Sequence, residues 1–152
     1  MAIQASELKF YKPAVITDGD TNGGRMSANA ATTGVKNNIF PDVSQAERTA
    51  GLTRYRKVFF KVESAEDLAL LNARIFIEKH TPGEDRVNLV IGTQSDTQLD
   101  LTGTERVYGA GQLKTDITAG AGSCVVISES TDVTFVDGDL IRISDMDAVM
   151  SG

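Results

Sequence analysis

The chain has 152 residues, 41% of them hydrophobic, with 15 basic and 21 acidic side chains and a formal net charge of -6. That length is one domain's worth and can bury a continuous core, so disorder throughout is not expected. The acidic balance argues against a nucleic-acid partner, which needs clustered Lys and Arg, and a single cysteine, Cys124, allows neither an intrachain disulfide nor a Cys-based zinc cluster.

The N-terminal MAIQASELKF has no basic region followed by a long apolar run, so no secretory signal is expected. No apolar run approaches the roughly 18 residues that a bilayer span needs, so no membrane partner is expected. FYKPAVIT, residues 10–17, reads as extended, and Pro13 discourages helix there. Residues 17–38 are full of Thr, Asn, Gly and Ala and look weakly structured by local rules. Residues 1–38 are therefore expected to be a partly extended, loop-rich region of a single domain over 1–152.

Ser44–Ala50 carries a helix signal: Ser44 as cap, Glu47 completing a capping box, and Gly51 as stop. Tyr55–Val62, YRKVFFKV, alternates and is rich in aromatic and β-branched residues. Strand geometry places Val58, Phe60 and Val62 on one face and Tyr55, Lys57, Phe59 and Lys61 on the other. Phe59 then sits on a mixed face that a partner or second layer has to cover. Residues 65–73 fit a short helix or a strand-to-strand connection equally well.

Ala73–Glu78 and Val87–Ile91 are the next strands expected. Residues 109–123, with Gly109, Gly111, Gly120 and Gly122, read as a loop. Cys124–Ser128 reads as a strand with Cys124 as a buried small hydrophobe. Val133–Val136 and Leu140–Ile143, joined by Asp137-Gly138-Asp139, carry a hairpin signal. Many short strands between polar turns predict an all-β protein, an antiparallel β-sandwich with a small barrel as runner-up, carrying long polar loops and at most one or two short helices.

Asp18, Asp20, Asn22 and Gly23 fall in the order that opens an EF-hand calcium loop. The twelfth position should hold a bidentate Glu, and here it is Asn29, with no helix expected on either side. An Asx or Gly turn accounts for the same residues, and Asp18, Asp20 and Asn22 stay as weak metal candidates only. No cofactor is implied. His80, the only histidine, lies in the turn-like KHTPGED, and no strand–nucleophile–helix motif accompanies it. The pairs Asp18 with Asp20 and Asp137 with Asp139 sit beside glycines in turns, unlike a buried catalytic pair. ITAGAGS, residues 117–123, lacks the Lys–Ser/Thr end of a phosphate loop. No catalytic residue is assigned, and an enzyme is not expected.

The segment VKNNIFPDVSQAERTAGLTRYRKVFF, residues 35–60, resembles small tail or virion structural proteins of contractile-tailed bacteriophages, above all those of the baseplate or lower tail. NNIFPDVS, AER and GLTRYRKVFF carry the resemblance, which continues through NARIFI, residues 72–77, and the residues around 81–90. The resemblance implies a non-enzymatic virion subunit in a ring or collar, with copies of itself and other tail or baseplate proteins as partners, assembled in the host cytoplasm. Alternatives are a head decoration or head–tail connector protein, or a calcium- or glycan-binding β-sandwich module.

On this reading the interface candidates are Ile39, Phe40 and Pro41, an apolar knob in a polar approach, and Arg54, Tyr55 and Arg56. The basic patch of Arg54, Arg56 and Lys57 also fits an ordinary solvated strand. Packing of the knob onto the protein's own sheet is the competing account of Ile39–Pro41.

Overall fold

The computed structural model describes residues 2–77, 86–128, 130–133 and 135–143. Among these residues seven strands and one α-helix follow in order: β1 (Leu8–Val15), β2 (Gly23–Ala30), α1 (Gln45–Ala50), β3 (Phe59–Val62), β4 (Leu89–Val90), β5 (Val107–Tyr108), β6 (Gly111–Leu113) and β7 (Val126–Ser128). Two 3-10 turns, Ala5–Glu7 and Gln98–Asp100, complete the set. The protein is all-β, and all strand pairs are antiparallel. The chain divides into two units, Met1–Ala73 with Gly92–Thr104, and Arg74–Ile91 with Glu105–Gly152.

The first unit holds a three-stranded sheet in the order β2-β1-β3. β1 and β3 pair Leu8 with Val62, Lys9 with Lys61, Phe10 with Phe60 and Tyr11 with Phe59. Directly opposed residues share a face. One face thus carries Leu8, Phe10, Phe60 and Val62, with the Phe10 and Phe60 rings 5.4 Å apart. The other carries Lys9, Tyr11, Phe59 and Lys61. Here Phe59 is the buried residue, and the Lys57 ammonium lies 5.0 Å from its ring centre. The lysine stem and charge cover the ring that the sequence left on a mixed face.

The expectation of weak structure over residues 17–38 is corrected at β2. GGRMSANA has little intrinsic strand preference, yet it pairs along β1. Cross-strand pairing outweighs propensity here. The pairing is irregular, with register shifts on both sides of Pro13. Proline has no N–H to give a ladder, so β1 is bulged where Pro13 lies, and β3 pairs only with Leu8–Tyr11. Helix α1 forms as its signals require. The Ser44 hydroxyl accepts from the Glu47 N–H, the Glu47 carboxylate accepts from the Ser44 N–H at 2.7 Å, and Gly51 follows at φ 71°.

The second unit holds two two-stranded sheets, β4-β5 and β6-β7. The strands are shorter than the alternation predicts. Val87–Ile91 yields only Leu89–Val90, and residues 73–77 of the expected Ala73–Glu78 strand form none; Glu78 lies outside the described residues. Residues 65–73 form neither helix nor strand; Asp67 and Asn72 turn the chain at φ 51° and 55°. Part of the glycine-rich 109–123 segment is strand β6, where Gly111 lets Val126 and Ile127 approach so closely that a Cβ would lie 2.5 Å from Val126 Cγ1.

The Asp137-Gly138-Asp139 turn forms, with the Asp139 N–H donating to the Val136 carbonyl at 3.1 Å, but residues 135–136 and 140–143 form no strand and Thr134 lies outside the described residues. Cys124 is exposed, against the expectation of burial, because β7 pairs with β6 alone and residues 121–127 stay open.

Burial is sparse in both units. Among the described residues the buried ones are Pro13, Asn22, Gly23, Phe59 and Val133. Meanwhile Leu71 is 81% exposed, Ile91 77% and Leu140 71%. Scattered exposed apolar residues are normal on a monomer; so few buried ones are not. No described helix is long and apolar enough to cross a membrane.

Candidate functional site

The loop after β1 and the segment before β3 build one polar site in the first unit. Residues 18–24 turn tightly, with the Asn22 N–H donating to the Gly19 carbonyl at 2.9 Å. The turn is stitched to residues 96–99: the Gly24 N–H donates to Asp96 O at 2.8 Å, the Gln98 N–H to Asn22 O at 2.7 Å and the Leu99 N–H to Asp20 O at 3.1 Å. Gly23 makes this possible. It adopts φ 110°, and a Cβ there would lie 2.8 Å from Asp96 O, a clash with backbone.

Asn22, 3% exposed, locks the site from inside. Its amide N–H₂ donates to Tyr55 O at 2.8 Å and to Gln98 Oε1 at 3.2 Å, and its amide oxygen accepts from the Thr17 N–H at 3.3 Å. Asp18 faces two guanidinium groups, 2.6 Å from Arg56 Nη2 and 3.5 Å from Arg54 Nε. The Arg56 hydrogen bond, with the charge of Arg54 behind it, holds the Asp18 carboxyl below the usual aspartate range. A carboxylate neutralised by two arginines and a buried amide already bonded make a closed turn rather than an open cation cage. Asp20 adds only its backbone carbonyl, the acceptor for Leu99.

Arg54 and Arg56 are not the solvated strand charges that alternation allows. Their side chains are 14% and 6% exposed, and residues 51–58 are not strand. Arg54 also pairs with Glu47 at 2.5 Å, tying α1 to the loop. Arg56 donates to Thr17 O at 3.1 Å and Tyr55 O at 2.6 Å, and its guanidinium lies 5.9 Å from the centre of the Phe40 ring. Arg54 Nε and Nη1 and Arg56 Nε are buried without a hydrogen-bond acceptor among the described residues. An unsatisfied buried donor on a charged group costs upward of about 1–3 kcal/mol.

The six interface candidates fall in this one neighbourhood. Phe40 stacks under Arg56 and is 38% exposed, Pro41 is exposed, and Ile39 is half-buried. Tyr55 holds Asn22 through its carbonyl and leaves its ring 44% exposed. Beside them lies a shallow recess of about 10 Å³ with Pro13, Ile16 and Ile39 as its apolar wall and Lys12, Arg56 and Lys57 as its cations; Asn38 completes it. That is room for about one water molecule, far below an ordinary small-molecule pocket.

Sequence reasoning missed Lys12 and Glu47's bond to Arg54; it grouped Lys57 with Arg54 and Arg56 as a basic patch but gave no sign of its tie to Asp96. Lys57 Nζ donates to Asp96 O at 2.8 Å, and burial pulls its ammonium below the usual lysine range, with Asp96 and Asp100 opposing. The link to residues 96–100 has no local signal. The second polar cluster of the sheet is more open: Glu63 accepts from Lys9 at 2.7 Å, from Lys61 at 3.0 Å and from the Tyr11 hydroxyl. These bonds, Lys9's first, bring the Glu63 pKa down from 4.5 to about 2.

His80 lies outside the described residues. Among the described residues no cluster of three or more His, Cys, Asp or Glu side chains is arranged to hold a metal. The chain matches no family model, no curated protein and no solved structure.

Proposed function

We propose that this chain is a non-enzymatic structural subunit of a virion, part of a ring or collar in the tail or baseplate of a contractile-tailed bacteriophage. The resemblance carried by residues 35–60, 72–77 and around 81–90 supplies the setting. The observation that carries the assembly reading is the sparse burial: among the described residues Phe59 and Val133 are the buried hydrophobic core, while Phe76, Ile91, Leu140 and Ile143 are more than half exposed. Apolar surface of that extent is what neighbouring subunits cover. The arginine-rich site with its Phe40 and Tyr55 rings has the residue types that interfaces favour.

Quantitative mass spectrometry of purified particles, with a particle reconstruction, tests this. The expected result is a copy number in a fixed multiple of the tail symmetry. Hundreds of copies on the capsid would make it a head decoration protein instead, and absence from particles would end the reading. Phe40→Ala is expected to fold but to enter particles poorly, whereas Arg56→Ala, which strips Asp18 of its nearest counter-charge, is expected to lose stability as well. Normal incorporation of both would remove this site from the interface.

A further inference from the structure

We propose that Asn22–Gly23 is a latent deamidation site. The closed turn keeps it intact, and a chain whose turn stays open is converted there to aspartate or isoaspartate and cannot close again. The proposal concerns the first unit alone and stands apart from the assembly reading.

The chain has six asparagines, and Asn22 is the one followed by glycine. Deamidation begins when the next residue's backbone nitrogen attacks the side-chain carbonyl carbon. Glycine, with no Cβ and the widest choice of backbone angles, obstructs that attack least. The fold demands both residues. Asn22 supplies the amide that joins Tyr55 to Gln98, and Gly23 sits at φ 110° with Asp96 O where a Cβ would stand. The lock is therefore built on the most labile asparagine peptide of the chain.

The step needs only water. The Gly23 nitrogen gives its proton to hydroxide and bonds to Asn22 Cγ. The Cγ–Nδ2 bond breaks, and Nδ2 takes a proton from water and leaves as ammonia. Water then opens the cyclic imide at either carbonyl, to aspartate or to isoaspartate.

The closed turn opposes this. Asn22 is 3% exposed, which keeps hydroxide and water away. Its amide is held at both ends, by Tyr55 O and Gln98 Oε1 at Nδ2 and by the Thr17 N–H at Oδ1, so Cγ is not free to swing toward the Gly23 nitrogen. Gly23 is pinned too, paired with Val15 on one side and bridged to Thr97 on the other. Reaction waits for local opening, and its rate follows the open fraction.

The product does not close again. A carboxylate at residue 22 sets a charged oxygen against Tyr55 O, where Nδ2 donated, in a buried site. Isoaspartate also adds a carbon to the backbone and shifts the Val15–Gly23 register. Imide closure in an open chain takes hours or longer, far slower than synthesis of residues 96–99, so chains that close promptly escape and those that stay open are marked.

Peptide mass spectrometry of the full chain held at mildly alkaline pH tests this. Conversion at Asn22 is expected to be at least about tenfold slower in the folded chain than in the same chain in urea. Gln98→Pro opens the lock. Gln98 begins a 3-10 turn after an extended Thr97, where proline is accommodated, and the substitution removes both the N–H bond to Asn22 O and the Oε1 acceptor. It is expected to raise conversion at Asn22 about tenfold, with Asn29 and Asn37 unchanged. Gln98→Ala, which removes the side-chain acceptor alone, gives a smaller rise and replaces the proline variant if thermal unfolding shows that one not to fold. Asn22→Asp is expected to lose hydrogen-exchange protection at residues 17–24 and 96–99. Equal rates in folded and urea-unfolded wild type, an Asn22 that stays intact in urea, folded Gln98 variants no faster than wild type, or full protection in Asn22→Asp would each overturn the proposal.

Discussion

The two units spend their sequence differently. The first is organised by polar groups: Asn22, Asp18, Arg54 and Arg56 bind three loops to one another, and a glycine makes room for the crossing at Asp96. The second is organised by short strands and leaves Val125, Ile127, Leu140 and Ile143 more than half exposed. A buried polar network demands its partners within the chain, because each broken bond strands a desolvated group. An exposed apolar strip makes no such demand and can be completed by another molecule. The first unit is therefore tied together by its own polar bonds even though Val35, Leu52, Leu71 and Leu99 stay more than half exposed there, and the second carries more of the strongly exposed apolar side chains.

The largest blow to that contrast is a side chain at residue 23. Gly23→Ala is expected to destabilise the first unit by roughly 2–4 kcal/mol, through a positive φ and a clash with Asp96 O. Gly122→Ala in the second unit meets nothing within 4 Å and is expected to change stability by no more than about 1 kcal/mol. Urea unfolding of both variants measures the difference; equal losses would refute the close crossing. Asn22→Ala comes next. It orphans the Thr17 N–H and Gln98 Oε1, leaves Tyr55 O with Arg56 alone, and is expected to cost about 1–3 kcal/mol, with faster hydrogen exchange at residues 17–24 and 96–99 but not at 107–128.

Acid should separate the units as well. The folded-state pKa values of Glu63, Asp18, Glu47, Asp96 and Asp100 in the first unit, and of Asp139 in the second, all lie below the usual carboxylate range. A depressed carboxylate contributes stability that is fully present above its unfolded pKa and is lost as pH falls through its folded one. For Glu63 that window runs from 4.5 down to about 2. Stepping from pH 6 to pH 2.5 is expected to loosen the first unit more than the second, read by hydrogen exchange corrected for the intrinsic rate. Loss confined to the second unit would contradict the placement of these pairs.

The smallest effect belongs to the exposed strips. Ile91→Ser, at a side chain 77% exposed, is expected to move the unfolding free energy of the dilute chain by no more than about 0.5 kcal/mol. A loss of 2 kcal/mol or more would show that Ile91 is already packed within the chain.

What the sequence made legible follows the range of the interaction. The Ser44–Glu47 box and the Gly51 stop are local chemistry, and α1 formed where they stand. Alternation located β3 and β7 but overreached at 55–58, 73–77 and 140–143, because a period-two pattern names a face without supplying a neighbouring strand. β2 was missed for the complementary reason: its residues say little, and pairing with β1 decides the matter. At the site, Phe40, Arg54, Tyr55 and Arg56 stood out singly by type. Their meeting with Asp18 and Asn22 could not be read, since the loop's order of Asp and Asn suggests an ion and the true counter-charges lie more than thirty residues away.

The crossing at Gly23 has a further consequence during synthesis. Gly24 donates to Asp96, and Gln98 donates back to Asn22. The ribosome must therefore translate some seventy further residues after the β1–β2 hairpin emerges before this lock can close. At about 5–20 residues per second that is a wait of roughly 4–15 s, in which Arg54 and Arg56 emerge and can reach Asp18 before the chain that closes the turn is made.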